Sequence, residues 1–237
     1  MGKPFVFKQF SIQQDKCAMK IGTDGVLLGA WSEINHDPKT ILDIGAGTGV
    51  ISLMLAQRVP QSFIEAIEID SEAFEQCTEN FENSPWADRL FCYHASLLEF
   101  VEEAEDKYDL IVCNPPFYSE DYKTNNKARD LARFSDAMPF EHLIYAVARL
   151  LDDYGVFCTI IPFKEQNKFV ELAKQVNLQI TKHTLVRGNK DSEIKRSLLS
   201  FSFRPLPHKI SEITIENKRH QYTSEYMELT KEFYLKM

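Results

Sequence analysis

Thr40-Ile41-Leu42-Asp43-Ile44-Gly45-Ala46-Gly47-Thr48-Gly49 sets an apolar β-type run against a turn in which every second residue is glycine, and a helical pattern over 49–58 follows. Glycine admits left-handed backbone and lets the main chain come close to a ligand. The first turn of a helix offers unpaired N–H groups to an anionic or polar group. Strand, glycine turn and helix in this order predict a nucleotide-type site at the carboxyl end of a buried strand. A dinucleotide fingerprint spaces its glycines as GxGxxG. Val50 stands where the third glycine would be, which disfavours NAD. A plain tight turn uses the same glycines, so the assignment depends on the rest of the chain.

Working outward, short β-type runs at 63–69, 90–94, 108–113 and 155–161 alternate with helical patterns at 71–83, 97–103, 140–151 and 163–176. That alternation predicts an α/β fold with a parallel sheet covered by helices on both faces and a crevice at the carboxyl ends of the strands. After the fifth of these strands, 178–186 and 197–204 read as two strands without a helix between them, which pair antiparallel. Residues 40–206 make the core, 1–39 an N-terminal extension, and 207–237 a C-terminal appendage of the same domain. In the appendage a β-type run at 213–215 precedes a helix expected over 224–235.

A chain of 237 residues suits one main domain. No apolar run approaches the roughly 18 residues that span a bilayer, which predicts no membrane span. The first residues lack the apolar core of a secretory signal, so a cytoplasmic protein is expected. Five cysteines, without a CxxC pair, fit buried small hydrophobes better than a disulfide framework or a zinc site, and no metal is expected. A net charge of −8 excludes a protein that coats nucleic acid indiscriminately, and leaves room for local basic patches.

Two motifs carry chemistry. Glu68 ends the second strand about 20 residues past the glycine turn, where a carboxylate reads a ribose diol. Asp70, two residues on, fits a helix cap equally well. Asn114-Pro115-Pro116-Phe117 leaves the fourth strand beside the same crevice. Asn114 Oδ1 and the Pro115 carbonyl are acceptors for an N–H group, prolines stiffen the backbone that holds them, and Phe117 offers a face for a flat ring. A weakly nucleophilic, conjugated amine needs this orientation and charge stabilisation. An Asn-Pro turn alone occurs in proteins of every function.

With Asp43 two positions before Gly45-x-Gly47-x-Gly49, the chain resembles the class I S-adenosylmethionine methyltransferases. The resemblance implies a Rossmann-like, seven-stranded, mostly parallel sheet with an antiparallel last strand, and S-adenosylmethionine as cofactor. It implies that Asp43, Gly45 and Gly47 line the cofactor site, that the Gly45 loop lies against the methionine portion and that Glu68 holds the ribose hydroxyls. Ser96 stands where many relatives use an aspartate against the adenine. Asn114-Pro115-Pro116-Phe117 is similar to the catalytic tetrapeptide of enzymes that methylate adenine N6, guanine N2 or glutamine N5, with Asn114 also bordering the cofactor. The stretch Met19-Lys20-Ile21-Gly22-Thr23-Asp24-Gly25-Val26-Leu27-Leu28-Gly29-Ala30-Trp31 resembles the bacterial tRNA(Val) adenosine-37 N6-methyltransferases, which join it to NPPF. That likeness implies that Lys20, Gly22 and Thr23 border the cofactor and that the substrate is adenosine in tRNA. Methylation of an rRNA guanine or a release-factor glutamine, and a non-catalytic cofactor-binding role, stay open at this point.

Two basic clusters are expected to hold the RNA. Lys123, Lys127, Arg129 and Arg133 outnumber Asp130 just beyond the tetrapeptide, and Lys182, Arg187, Lys190, Lys195 and Arg196 outnumber Asp191 and Glu193. If the sixth strand runs parallel to the first five, the second cluster rises on the side of the crevice. No obligate protein partner is expected.

Overall fold

Every run expected as a strand between 40 and 204 lies in one sheet of the computed structural model, which describes residues 2–116 and 138–237. In chain order the elements are β1 (Phe5–Val6), β2 (Ser11–Ile12), α1 (Thr23–Trp31), β3 (Thr40–Ile44), α2 (Val50–Arg58), β4 (Phe63–Glu68), α3 (Ser71–Glu82), β5 (Leu90–His94), α4 (Leu97–Glu103) and β6 (Tyr108–Cys113). There follow α5 (Phe140–Leu150), β7 (Leu151–Pro162), a 3-10 turn (Phe163–Glu165) leading into α6 (Gln166–Gln175), β8 (Gln179–Asn189), β9 (Ile194–Ser202), β10 (Lys209–Lys218), β11 (Gln221–Tyr222) and α7 (Ser224–Thr230).

The sheet runs β11-β10-β8-β9-β7-β6-β3-β4-β5. Strands β3 to β7 pair in parallel, and β9 is antiparallel to both β7 and β8, so β8 runs with the first five. Successive strand residues face opposite sides of a sheet. Ile41 therefore joins a core with Val26, Leu27, Leu53, Met54 and Phe81 of α1, α2 and α3. Leu42 and Ile44 join another with Leu97, Val101, Leu143, Val147 and Phe169 of α4, α5 and α6. Local caps set where helices begin: Asp70 accepts from the Ala73 amide at 2.8 Å, Thr223 accepts from Tyr226, and Ser96 with Glu99 closes a reciprocal capping box.

The expectation of seven strands is corrected: among the described residues the sheet has nine. Strand β10 lies parallel along β8 from Lys209↔Lys182 to Glu216↔Asn189, and β11 folds back on it. Lys209–Lys218 mixes charges with isoleucine and threonine, a pattern that suits a half-covered edge strand. The helix expected to reach 235 stops at Thr230, whose hydroxyl bonds back to the Tyr226 carbonyl at 2.7 Å and competes with the helical ladder. The tail then returns to the N-terminus, where Phe7 bridges Tyr234 and the Lys8 amide donates to the Phe233 carbonyl. No helix among the described residues is long and apolar enough to cross a membrane.

Candidate active site

Ile67, Ile44 and Cys113 stand in one row across β4, β3 and β6. Glu68, Gly45 and Asn114 therefore leave three adjacent parallel strands at one level, with neighbouring strands about 4.8 Å apart. The turn is tied to β4 first: the Gly45 and Ala46 amides donate to the Ile67 carbonyl at 2.9 and 3.1 Å. Glu68 then grips the turn directly, its Oε2 accepting from the Gly47 amide at 2.8 Å while Oε1 accepts from Ile69 and Asp70 at 2.9 Å. The carboxylate expected to read a ribose diol is thus fixed against the glycine loop. Asp70 is the cap of α3, as its alternative reading had it.

Gly45 and Gly47 have φ of +73° and +55°, and a Cβ on either would meet nothing within 4 Å, so the loop faces open space. Gly49 differs. At φ +77° its missing Cβ would lie 2.6 Å from Phe81 Cε1 and 2.9 Å from Cys77 Sγ, so this glycine lets α2 seat on α3. Helix α2 starts there without a side chain on its cap residue. Asp43 reaches its first turn instead, with Oδ2 accepting from the Ser52 hydroxyl at 2.7 Å and the Ser52 amide at 3.2 Å. Asp43 is fully buried, and burial pushes its carboxyl up to about 6 against the pull of those bonds. Its Oδ1 is buried without a partner among the described residues.

Asn114 follows β6 directly, one strand from Gly45, and its Oδ1 is likewise buried without a partner among the described residues. A buried acceptor left unpaired costs about 1–3 kcal/mol. Pro115 is buried and Pro116 half-buried. Phe117 lies outside the described residues, as do Lys123, Lys127, Arg129 and Arg133.

The N-terminal segment reaches this crevice as a strap. Its Gln13 amide donates to Asn80 Oδ1 at 2.8 Å, the Lys16 amide donates to Gln76 Oε1 at 3.2 Å, and Gln14 Oε1 accepts from Ile21 at 2.9 Å. Cys17 is buried near Glu68 and Asp70, and burial followed by those charges pushes its thiol up to about 12. Lys20, Gly22 and Thr23, all exposed, end the strap, and Gly25 packs against Val50 at the start of α2. Asn80 and Gln76 hold the strap in place, a contact that the sequence reading missed, since no motif ties two amides on α3 to a strap more than 50 residues earlier.

Other expected residues are already engaged. The Ser96 oxygen accepts from the Glu99 amide at 3.3 Å, so it serves α4 first. Arg196 pairs with Asp24 at 2.8 Å, and Arg187 pairs with Glu212 at 2.9 Å and donates to the Ser192 carbonyl at 2.5 Å. Lys190 and Lys195 are exposed. Lys182, counted in the same basic cluster, lies on the far side of the row from the crevice, with its ammonium 4.1 Å over the Trp31 ring.

Residues 21–138 match the family model described as methyltransferase small domain. The chain is 65% identical to a Flavobacterium psychrophilum protein named tRNA1(Val) (adenine(37)-N6)-methyltransferase, over 98% of this chain and all of that one. Proteins of the same name from Flavobacterium johnsoniae and Parabacteroides distasonis are 62% and 41% identical over 98% of this chain, covering 100% and 98% of their own lengths. Among solved structures, an Agrobacterium tumefaciens protein described as a predicted O-methyltransferase matches with a TM-score of 0.68 at 16% identity, covering 89% of this chain and 96% of that one. A ribosomal protein L11 methylase from Lactobacillus delbrueckii subsp. bulgaricus matches with a TM-score of 0.52 at 19% identity, covering 75% and 76%. At these identities the structural likeness speaks of fold.

Proposed function

The chain belongs to the tRNA1(Val) (adenine(37)-N6)-methyltransferase family, and from that membership we propose that it transfers a methyl group from S-adenosylmethionine to N6 of adenosine 37 in tRNA1(Val). The observation that carries the reading onto this chain is the buried Asn114 Oδ1, unpaired among the described residues and one strand from the open glycine loop.

The residues present fit S-adenosylmethionine. Gly45 and Gly47 leave room for it, Asp43 Oδ1 is a spare buried acceptor beside that loop, and Glu68 stands at the position for a ribose diol. Lys20, Gly22 and Thr23 border it from the strap, and the Ser96 hydroxyl keeps a hydrogen to donate. When bound, the donor supplies a methyl group activated by a sulfonium centre.

The chain's own task is the amine. The lone pair of an adenine N6 is delocalised into the ring. Asn114 Oδ1 and the Pro115 carbonyl accept its two N–H bonds, which favours a pyramidal nitrogen with its lone pair aimed at the methyl carbon. Phe117 stacks the extruded base, and the proton displaced from nitrogen passes to water. Lys190 and Lys195, with Lys123, Lys127, Arg129 and Arg133, contact RNA phosphates, and a tRNA substrate supports a cytoplasmic enzyme. Guanine N2 and glutamine N5 pose the same electronic problem, and the shared name of the relatives favours adenine over both.

Labelled methyl transfer to bulk tRNA, followed by nucleoside analysis, tests the activity: N6-methyladenosine is the expected product. Asn114→Ala is expected to lower kcat about 10²–10³-fold while donor binding persists, the scale for losing one preorganised polar group. Near-normal turnover of that variant would overturn the role given to Asn114.

A further inference from the structure

The sheet is not level along its carboxyl edge. One row of paired residues crosses it from Ile44 through Cys113, Thr159, Leu199 and His183 to Ile210. Strands β3 and β6 end at that row, where Gly45 and Asn114 begin. Strand β8 continues from His183 to Asn189 and β10 from Ile210 to Lys218. At about 3.3 Å per residue, this is an arm roughly 20 Å long that passes the crevice. Four inter-strand gaps of about 4.8 Å separate its root at Ile210 from Cys113, so it rises roughly 19 Å to one side. Sheet twist turns it relative to β6, so it leans beside the crevice instead of continuing straight above it.

The charges on the arm are sorted by height. Lower down, Arg187 is neutralised by Glu212 and Arg196 by Asp24. At the tip, the β8–β9 turn carries Lys190 and the β10–β11 turn presents Lys218, Arg219 and His220, all exposed, while the exposed Lys195 lies lower on β9, between Ile194 opposite Arg187 and Arg196 opposite Val186. Acidic groups face the same tip: Asp191, Glu193 and Glu216, of which Glu216 accepts from the His220 amide at 3.2 Å. The turn is held by that bond and by the positive φ of His220, 63°, which leaves the Lys218 and Arg219 side chains at its outer end.

We propose that the β10–β11 turn is an RNA-binding tip, at which Lys218 and Arg219 contact phosphates of the substrate RNA roughly 30 Å from the base being methylated. The proposal rests on the reading of the substrate as tRNA. An adenosine in a hairpin loop enters the crevice with its stem extending away from it. A rigid arm at this distance meets the stem backbone, where phosphate contacts set orientation without reading sequence.

Equilibrium binding of unmodified tRNA to the full chain, measured across a salt series, tests the tip independently of turnover. Lys218→Glu with Arg219→Glu is expected to weaken tRNA binding at least tenfold, with S-adenosylmethionine binding as the check on folding. The milder Lys218→Gln with Arg219→Gln is expected to reduce the slope of log K against log salt by about 1.4–1.8, or 0.7–0.9 for each lost phosphate contact. Unchanged tRNA affinity and slope in both variants would overturn the tip. Methylation by the unmodified enzyme is measured alongside. Failure there overturns the proposed activity, whereas normal methylation with unaltered binding by the variants removes the tip alone.

Discussion

Asn80 donates from Nδ2 to the carbonyl of Thr48 at 2.9 Å, fastening the glycine loop to α3. The same carboxamide brackets the main chain of Gln13, accepting from its amide at 2.8 Å and donating to its carbonyl at 2.9 Å. One buried side chain, 3% exposed, therefore fixes the glycine loop and the N-terminal strap relative to each other. Replacing Asn80 by Ala leaves a loop carbonyl and two strap groups unsatisfied, at about 1–3 kcal/mol. The expected result is a lower Tm and at least tenfold weaker S-adenosylmethionine binding, with kcat at saturating donor nearly unchanged. Asn80→Asp keeps the acceptor for Gln13 and loses both donations, so it falls between. Calorimetric titration alongside thermal unfolding reads both effects; destabilisation with unaltered donor affinity would reduce Asn80 to a packing residue.

The loop glycines separate into two kinds of requirement. Gly49→Ala drives a Cβ into Phe81 and Cys77 at a positive φ, so it is expected to lower stability by roughly 2–4 kcal/mol, combining backbone strain with overpacking. Gly47→Ala meets open space and carries only the strain, about 1–2 kcal/mol, yet its methyl occupies the volume facing the donor. Urea unfolding should rank Gly49→Ala as the less stable variant. Donor binding, measured on the folded fraction, should rank Gly47→Ala as the weaker binder.

Local patterns in the sequence were enough to locate the strands from 40 to 204, the glycine turn and Asn114, because each is a contiguous run whose periodicity or turn chemistry is read within a few residues. What escaped was set by distance along the chain. The partners of Arg187 and Arg196 are Glu212 and Asp24, 25 and 172 residues away, so a cluster that reads as free positive charge is partly neutralised in the fold. The tail was legible as β-type at 213–215 but not as a sheet strand, since its pairing with β8 depends on tertiary contacts. Lys218 and Arg219 reach the carboxyl side of the sheet because β10 runs parallel to β8.

Asp43 gives the enzyme a pH signature. Its carboxyl is raised to about 6 in the fold, against about 3.9 for an unfolded aspartate. The folded chain therefore holds this proton more tightly. The favourable contribution is fully present below about pH 4 and is lost as pH rises through 6, approaching about 3 kcal/mol at 1.36 kcal/mol per unit. Asp43→Asn removes the ionisation. The stability of the variant minus that of the parent should therefore climb between pH 4 and 6.5 and then level. Paired urea titrations at each pH measure this difference free of the other carboxylates, and a flat difference would show that Asp43 ionises normally.

The Asp24–Arg196 pair decides what Arg196 is for. Asp24 lies in the first turn of α1, and Arg196 stands opposite Pro162, the last residue of β7, so the pair ties the end of the strap to the carboxyl edge of the sheet. Side chains 28% and 33% exposed make such a pair worth about 1 kcal/mol or less after solvent screening, too little to matter mainly for stability. If Arg196 acts as a tether, Asp24→Asn and Arg196→Gln should weaken donor binding to a similar degree, and the double variant should be no worse than either alone. If Arg196 acts as a phosphate ligand, Arg196→Gln should raise the KM for tRNA, whereas Asp24→Asn should lower it by releasing the guanidinium. The fold favours the tether, so the expected result is a shared, non-additive rise in the KM for S-adenosylmethionine, read from initial rates of the three variants with each substrate varied in turn.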